Sequence, residues 1–188
     1  MSKMPITWIG RAAYVGGTML VVAACVACYS FFSSAAQSRA LVILVRHGDA
    51  PGSGEPNGFT LGNCDTQRNL SDKGRQQASA IGADLLALGI DVTKVMASEL
   101  CRTEQTAELL KIGSVESAPA FNDIADFRQK ANELLSREQK IIEDWHGPGA
   151  LIIVTHGSNI KELTGLHVDP GAMVIAKFEA GHVVAWAF

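Results

Sequence analysis

Hydrophobic positions along the chain fall into three kinds of run. Ala40 to Val45 (ALVILV) and Ala150 to Thr155 (ALIIVT) are short, continuous and rich in β-branched residues, the pattern of strands buried on both faces. Between them Ala78, Ile81, Leu85 and Leu88 recur at helical spacing, with Ser71 as the capping residue and Gly89 as the stop. Cys101 to Ile112 repeats that periodicity, turns Ala107 and Leu110 inward and ends at Gly113. Phe127, Ala131, Leu134, Ile141 and Trp145 make a third helical stripe, closed by Gly147-Pro148-Gly149. Lys94 to Ser98 predicts another short strand, and Ala172 to Phe178 with His182 to Ala187, joined through Glu179-Ala180-Gly181, predicts a terminal hairpin. Strands alternating with helices predict an α/β fold.

The third kind of run is the 27 uncharged positions 12–38, within which Ala12 to Phe32 is long enough to cross a bilayer as a helix. It predicts an N-terminal transmembrane anchor or signal peptide over residues 1–36, followed by one domain over 37–188. Lys3 and Arg11 precede the run, which places the following domain on the extracytoplasmic, periplasmic-type side. Ser33-Ser34-Ala35-Ala36 suits cleavage, and Val22-Ala23-Ala24 before Cys25 is a weaker lipoprotein-type site.

Charge narrows the partners. Of 16 basic residues, Lys3 and Arg11 lie before Arg39; the domain therefore holds 14 against 19 acidic residues, a net charge of −5 that argues against a nucleic-acid surface. Of four cysteines, Cys25 and Cys28 lie in the apolar run and leave Cys64 and Cys101 as one pair. Two are too few for a structural zinc site. A disulfide joining them, suited to an oxidising compartment, is the expectation, with two independent thiols as the alternative.

The two buried strands end in Arg46-His47-Gly48 and Thr155-His156-Gly157, so both histidines emerge at strand C-termini, the edge where open α/β sheets bind ligands. Arg68, ahead of the Ser71 helix, and Arg102, at the start of the next, join the same rim. Three arginines with two histidines make an anion site, because guanidinium forks match phosphate oxygens, and helix starts near Ser71 and Ser98 are expected to add N–H donors. Residues 51–58, rich in Gly and Pro, lack the Gly-Lys-Ser/Thr of a P-loop and predict a mobile lip. Asn159 is expected to cap the last helix, with contact to substrate as the alternative. His146, His167 and His182 receive no role.

In this order and at these element boundaries, LVRHG at 44–48, RNLSDKG at 68–74, SELCRTEQTA at 98–107 and IVTHG at 153–157 resemble the histidine phosphatase superfamily. The likeness extends to phosphoglycerate mutase-like enzymes, short bacterial phosphohistidine phosphatases and lipopolysaccharide core heptose phosphatase-like members. It implies a three-layer sandwich with a mostly parallel central sheet. It implies further that His47 attacks phosphorus and carries the phosphoryl group, that Arg46, Arg102 and His156 bind phosphate with Arg68 assisting, and that neither metal nor cofactor takes part. The phytase-like branch has Asp directly after its second histidine; Gly157 excludes it. Phosphoglycerate mutase-like members place an acidic Glu where this chain has Phe121 to Asp126, leaving Asp123 as the general acid, Asp126 as its understudy or a helix cap, or no acid at all as in the phosphohistidine phosphatases.

The expected activity is phosphomonoester hydrolysis through a phosphohistidine, on a phosphorylated small molecule, an envelope glycolipid or a protein. Its rivals are a catalytically weak phosphate-binding module and a phosphohistidine protein phosphatase without a general acid. A mutase is disfavoured because only 53 residues, 103–155, separate the Arg102 motif from His156, leaving little for a lid.

Overall fold

Two neighbouring parallel strands at the middle of a six-stranded sheet carry the two histidines. The structure, a computed structural model, describes residues 40–187; the anchor or signal segment read over 1–36 lies outside the described residues. Among the described residues no helix is long and apolar enough to cross a membrane.

In chain order the elements are β1 (Leu41–Arg46), α1 (Asp72–Ala87), β2 (Val92–Ala97), α2 (Cys101–Leu110), β3 (Val115–Ser117), α3 (Ala131–Asp144), β4 (Ala150–Thr155), α4 (Gly157–Thr164), β5 (Met173–Glu179) and β6 (His182–Ala187). The sheet runs β3-β2-β4-β1-β5-β6. Pairs β3-β2, β2-β4 and β4-β1 are parallel, while β1-β5 and β5-β6 are antiparallel. The sheet is thus mixed rather than mostly parallel. The terminal hairpin adds to the outer side of β1, and a hairpin is antiparallel within itself.

Helices cover both faces, as the three-layer reading requires. Ile43, Val45, Ile152 and Val154 face α1 and α2 through Ile81, Leu85, Ala107 and Leu110. Val42, Leu44, Leu151 and Ile153 face α3 and α4 through Ile142, Ile160 and Leu163. β1 and β4 therefore bury both sides, which is why their sequences are apolar without alternation.

Boundaries shift where local chemistry differs from the periodicity. α2 ends at Leu110 because Lys111 turns into the left-handed region at φ 53°. The third stripe begins as a single 3-10 turn, Arg128–Lys130, and α3 starts only at Ala131 with Lys130 in the cap position, so Asp126 caps nothing. Asn159 is not a cap either. It is fully buried in α4, where its amide donates to the Asn122 carbonyl and the Glu138 carboxyl and accepts from the Ile124 N–H. Burial pushes Glu138 up to about 8, so the group is protonated at neutral pH and needs no counter-charge beside that amide.

Cys64 and Cys101 form a disulfide with Cα atoms 5.7 Å apart. It fastens the end of the long β1–α1 loop to the first residue of α2. Intact mass under non-reducing conditions should find no alkylatable thiol at either position. Replacing both by Ser should lower stability by about 3–4 kcal/mol, the chain-entropy value for a loop of this size; an unchanged urea midpoint would contradict this.

Candidate active site

The register that pairs Arg46 with Thr155 sets His47 and His156 side by side where β1 and β4 end. Their rings lie 5.3 Å apart, edge to face. Close approach of backbones makes this possible: a Cβ at Gly48 would lie 2.5 Å from the Gly74 carbonyl oxygen, and one at Gly74 would lie 2.1 Å from that of Asp49. The glycines of the first two motifs thus let the turn after β1 rest on the start of α1. Ser71 holds that contact through its side chain, which donates to Asp49 and accepts from the Gly74 N–H. Of the N–H donors expected from the helix starts, that of Gly74 in α1 goes to Ser71, and α2 begins at Cys101 rather than at Ser98, with the Cys101 N–H donating to the Gln67 side chain.

His47 is nearly buried. Its Nδ1 lies 2.7 Å from the Gly48 carbonyl and must donate to it, which leaves Nε2 unprotonated, its lone pair accepting the Nε–H of Arg102 at 3.3 Å. Burial first, then the Arg102 charge, with Arg46 and Arg68 adding, lowers its pKa to about 3. The imidazole is neutral and nucleophilic throughout the physiological range. His156 is held well below the ordinary imidazole value by burial and then by Arg102. Its Nε2 pairs with the Ser98 hydroxyl at 2.8 Å, and Ser98 in turn pairs with Thr103 at 2.6 Å. Its Nδ1 has no hydrogen-bond partner and lies 3.6 Å from an Asp123 oxygen.

The three arginines do converge, but they are matched by three carboxylates. Arg102, wholly buried, pairs with Asp123 at 2.9 Å, with Asp126 at 3.4 Å and with Glu55. Arg68 donates to the Ala50 and Gly52 carbonyls, both at 2.9 Å, and its Nε lies 3.8 Å from Glu55. Arg46 donates to the Val168 carbonyl, and its Nε is buried without a partner. A cleft of about 540 Å³ opens over this floor, lined by Arg46, His47, Arg68, Asp123, Ser158 and Lys161 among others. His167 reaches the same wall, although the sequence reading gave it no part. His146 and His182 stay exposed, each pairing only with a nearby backbone carbonyl.

Asp123 keeps both oxygens engaged: one faces Arg102 and His156, the other accepts from the Ser158 hydroxyl and the Ala125 N–H. Asp126, read first as a helix cap, instead accepts from the Glu55 N–H and meets Arg102. Within the otherwise exposed Gly/Pro segment, Glu55 is buried against two arginines. Sequence reasoning missed Glu55, yet a signal existed: it is the one charged residue in positions 50–64. Ser158 was also missed, being indistinguishable from any early helix serine.

Residues 42–125 match the sequence family described as histidine phosphatase superfamily (branch 1). Over 69 residues the chain is 38% identical to the mitochondrial serine/threonine-protein phosphatase Pgam5 of Drosophila grimshawi, covering 37% of this chain and 21% of that protein. Over 80 residues it is 34% identical to the Drosophila willistoni counterpart, covering 43% and 25%. The chain thus spans about a quarter or less of these relatives' length. Among solved structures it is similar to the protein histidine phosphatase SixA complexed with tungstate, with TM-score 0.56, 18% identity and coverage of 78% of this chain and 94% of that one. A putative alpha-ribazole-5'-P phosphatase from Escherichia coli K-12 gives TM-score 0.56 at 18% identity, covering 79% and 96%. Residues 42–125 thus match the histidine phosphatase superfamily, and the chain shares the fold of these solved phosphatases.

Proposed function

We propose that the chain is a phosphomonoester hydrolase working through a phosphohistidine at His47. The observation that carries this reading is the His47 ring itself, with Nδ1 committed to a backbone carbonyl, Nε2 unprotonated and met by Arg102, the imidazole neutral, and Arg46 and Arg68 beside it on the cleft wall. In the first step Nε2 forms a bond to phosphorus as the P–O bond to the leaving group breaks, and the departing oxygen takes a proton. In the second, water attacks phosphorus, the N–P bond breaks and inorganic phosphate leaves with His47 restored. Guanidinium groups stabilise the equatorial oxygens while charge redistributes.

Asp123 is the proposed proton donor to the leaving oxygen. Asp123→Asn should then slow alkyl phosphates far more than p-nitrophenyl phosphate, whose leaving group needs little protonation; a loss of about 10²-fold on the former against a few-fold on the latter is expected. Equal loss on both would assign Asp123 to holding Arg102 alone. One observation favours a second reading, a phosphohistidine phosphatase with no acid: both Asp123 oxygens already face donors. Full activity of Asp123→Asn on a phosphohistidine peptide, together with little activity of the wild type on alkyl esters, would select it.

An exported or envelope-associated substrate and an extracytoplasmic location remain part of the proposal. They are supported by the apolar sequence before residue 37 and by the Cys64–Cys101 bridge, a bond that persists in oxidising compartments. An open cleft suits a phosphate carried on a bulky glycolipid or protein.

A further inference from the structure

Arg102 has every edge of its guanidinium occupied by the protein. Nε meets His47, Nη2 meets Asp123 and Asp126, and Nη1 meets Glu55, leaving the side chain with no exposed surface and no place in the cleft lining. The two aspartates come from the segment after β3 and Glu55 from the β1–α1 loop, the two segments meeting where the Glu55 N–H donates to Asp126. Glu55 is 1% exposed in its side chain; one oxygen faces Arg102 and also lies 3.8 Å from the Arg68 Nε, while the other accepts the Arg68 backbone N–H at 2.9 Å. One anion, presenting two oxygens, thus spans both arginines. A phosphoryl group bound through the same two arginines would need that position.

We propose that Glu55 is a positioning residue seated where a substrate's phosphoryl oxygens meet Arg102 and Arg68, and that phosphate enters by exchanging places with its carboxylate. This rests on the phosphatase reading. Exchange keeps the buried guanidinium compensated before and after binding, so at no stage does Arg102 stand unpaired in the interior, which would be strongly unfavourable. A phosphoryl dianion brings more charge and more acceptor oxygens than a carboxylate, so it can win the exchange. The backbone around Glu55 is built for a change of direction: Gly52, Gly54 and Gly58 all sit at positive φ, at 97°, 63° and 80°. The loop's far end is fixed by the disulfide at Cys64 and by Gln67, whose side chain accepts from the Cys101 N–H.

Titration calorimetry with inorganic phosphate on the whole 188-residue chain, compared with Glu55→Gln and Glu55→Asp, tests this. Both variants should bind phosphate about tenfold more tightly than the wild type, because affinity in the wild type is measured net of the displaced carboxylate. Asp retains the charge but is one methylene too short to span the two arginines. If Glu55 served only as a nearby counter-charge, Asp would behave as wild type, and that result overturns the proposal. A second readout needs no variant: phosphate saturation should remove protection from hydrogen exchange at the Arg68 amide, since its acceptor is Glu55. Phosphate binding that leaves this amide protected would also overturn the exchange. Equal phosphate affinity in all three proteins defeats the role of Glu55 alone, whereas binding by none defeats the phosphatase reading together with it.

Discussion

His47→Ala should release p-nitrophenol from p-nitrophenyl phosphate about 10³-fold more slowly than the wild type or worse, with the fold intact. The expectation follows from what the ring cannot share. Nδ1 is held by the Gly48 carbonyl, so Nε2 is the one nitrogen of this ring able to bond phosphorus. Rapid acid or base quenching after incubation with labelled substrate should find an acid-labile, base-stable phosphoenzyme in the wild type and none in the variant. A phosphoenzyme that survives His47→Ala would move the nucleophile elsewhere. The ring also sets a pH signature. Between about 3 and 6.5 the unfolded imidazole binds a proton that the folded one refuses, so folding stability contributed at this site rises with pH across that window. Over the same window the nucleophile of the free protein is already neutral, so an acid limb of kcat/KM within it belongs to another group.

Arg102→Ala carries the largest combined loss, in rate and in stability. Activity should fall by about 10²-fold or more, the usual consequence of removing a group that stabilises transition-state charge. Stability should fall by about 3–5 kcal/mol, because removal of one partner from a buried ionic cluster strands the others. Here the stranded groups are three: Glu55, Asp123 and Asp126. Adding Glu55→Gln to Arg102→Ala should restore part of the stability and none of the activity, a non-additivity that thermal melts and assays on the same four proteins can read. Strict additivity in stability would mean that the carboxylates do not depend on Arg102. Arg102→Lys is not expected to rescue either property, since an ammonium cannot reach His47 and three carboxylates at once as a planar fork does.

What the sequence made legible, and what it hid, divides along physical lines. Continuous apolar runs announce strands buried on both faces, so β1, β4 and the edge bearing His47 and His156 could be read directly. Periodic helices with glycine stops were equally readable to within a few residues. Arg46, His47 and His156 were legible because arginine and histidine beside glycine at strand ends have few structural reasons to be there, and Arg68 and Arg102 from their places just before and at the start of a helix. Two of the acidic members and one buried amide were not, for three distinct reasons. Asp126 has the residue type of a helix cap and sits just where one would be wanted, but the helix begins five residues later. Glu55 lies in a Gly/Pro segment whose composition suggests exposure, and its burial depends on two arginines that arrive from positions 68 and 102. Asn159 is an early helix polar residue whose role is fixed by Asn122, Ile124 and Glu138, all distant in sequence. Direction of the hairpin against β1 was likewise undetermined by local pattern, since an apolar β1 accepts a neighbour in either sense.

That direction decides how the cleft is walled. Because β5 runs opposite to β1, its first residue lies at the edge where β1 ends, and the chain reaches it through residues 166–172 passing across the rim. Gly171 donates there to the Arg46 and His47 carbonyls, Pro170 accepts from Gln77 and Val168 from Arg46. This wall is fastened by main-chain groups, and its side chains at His167 and Val168 take no part in the ionic cluster around Arg102. The two sides of the cleft are therefore held differently: the floor around Arg102 is locked by interdependent charges, while the flank is held by its main chain and by the packing of Val168, so under the phosphatase reading a substitution at exposed His167 alters the wall without touching the floor.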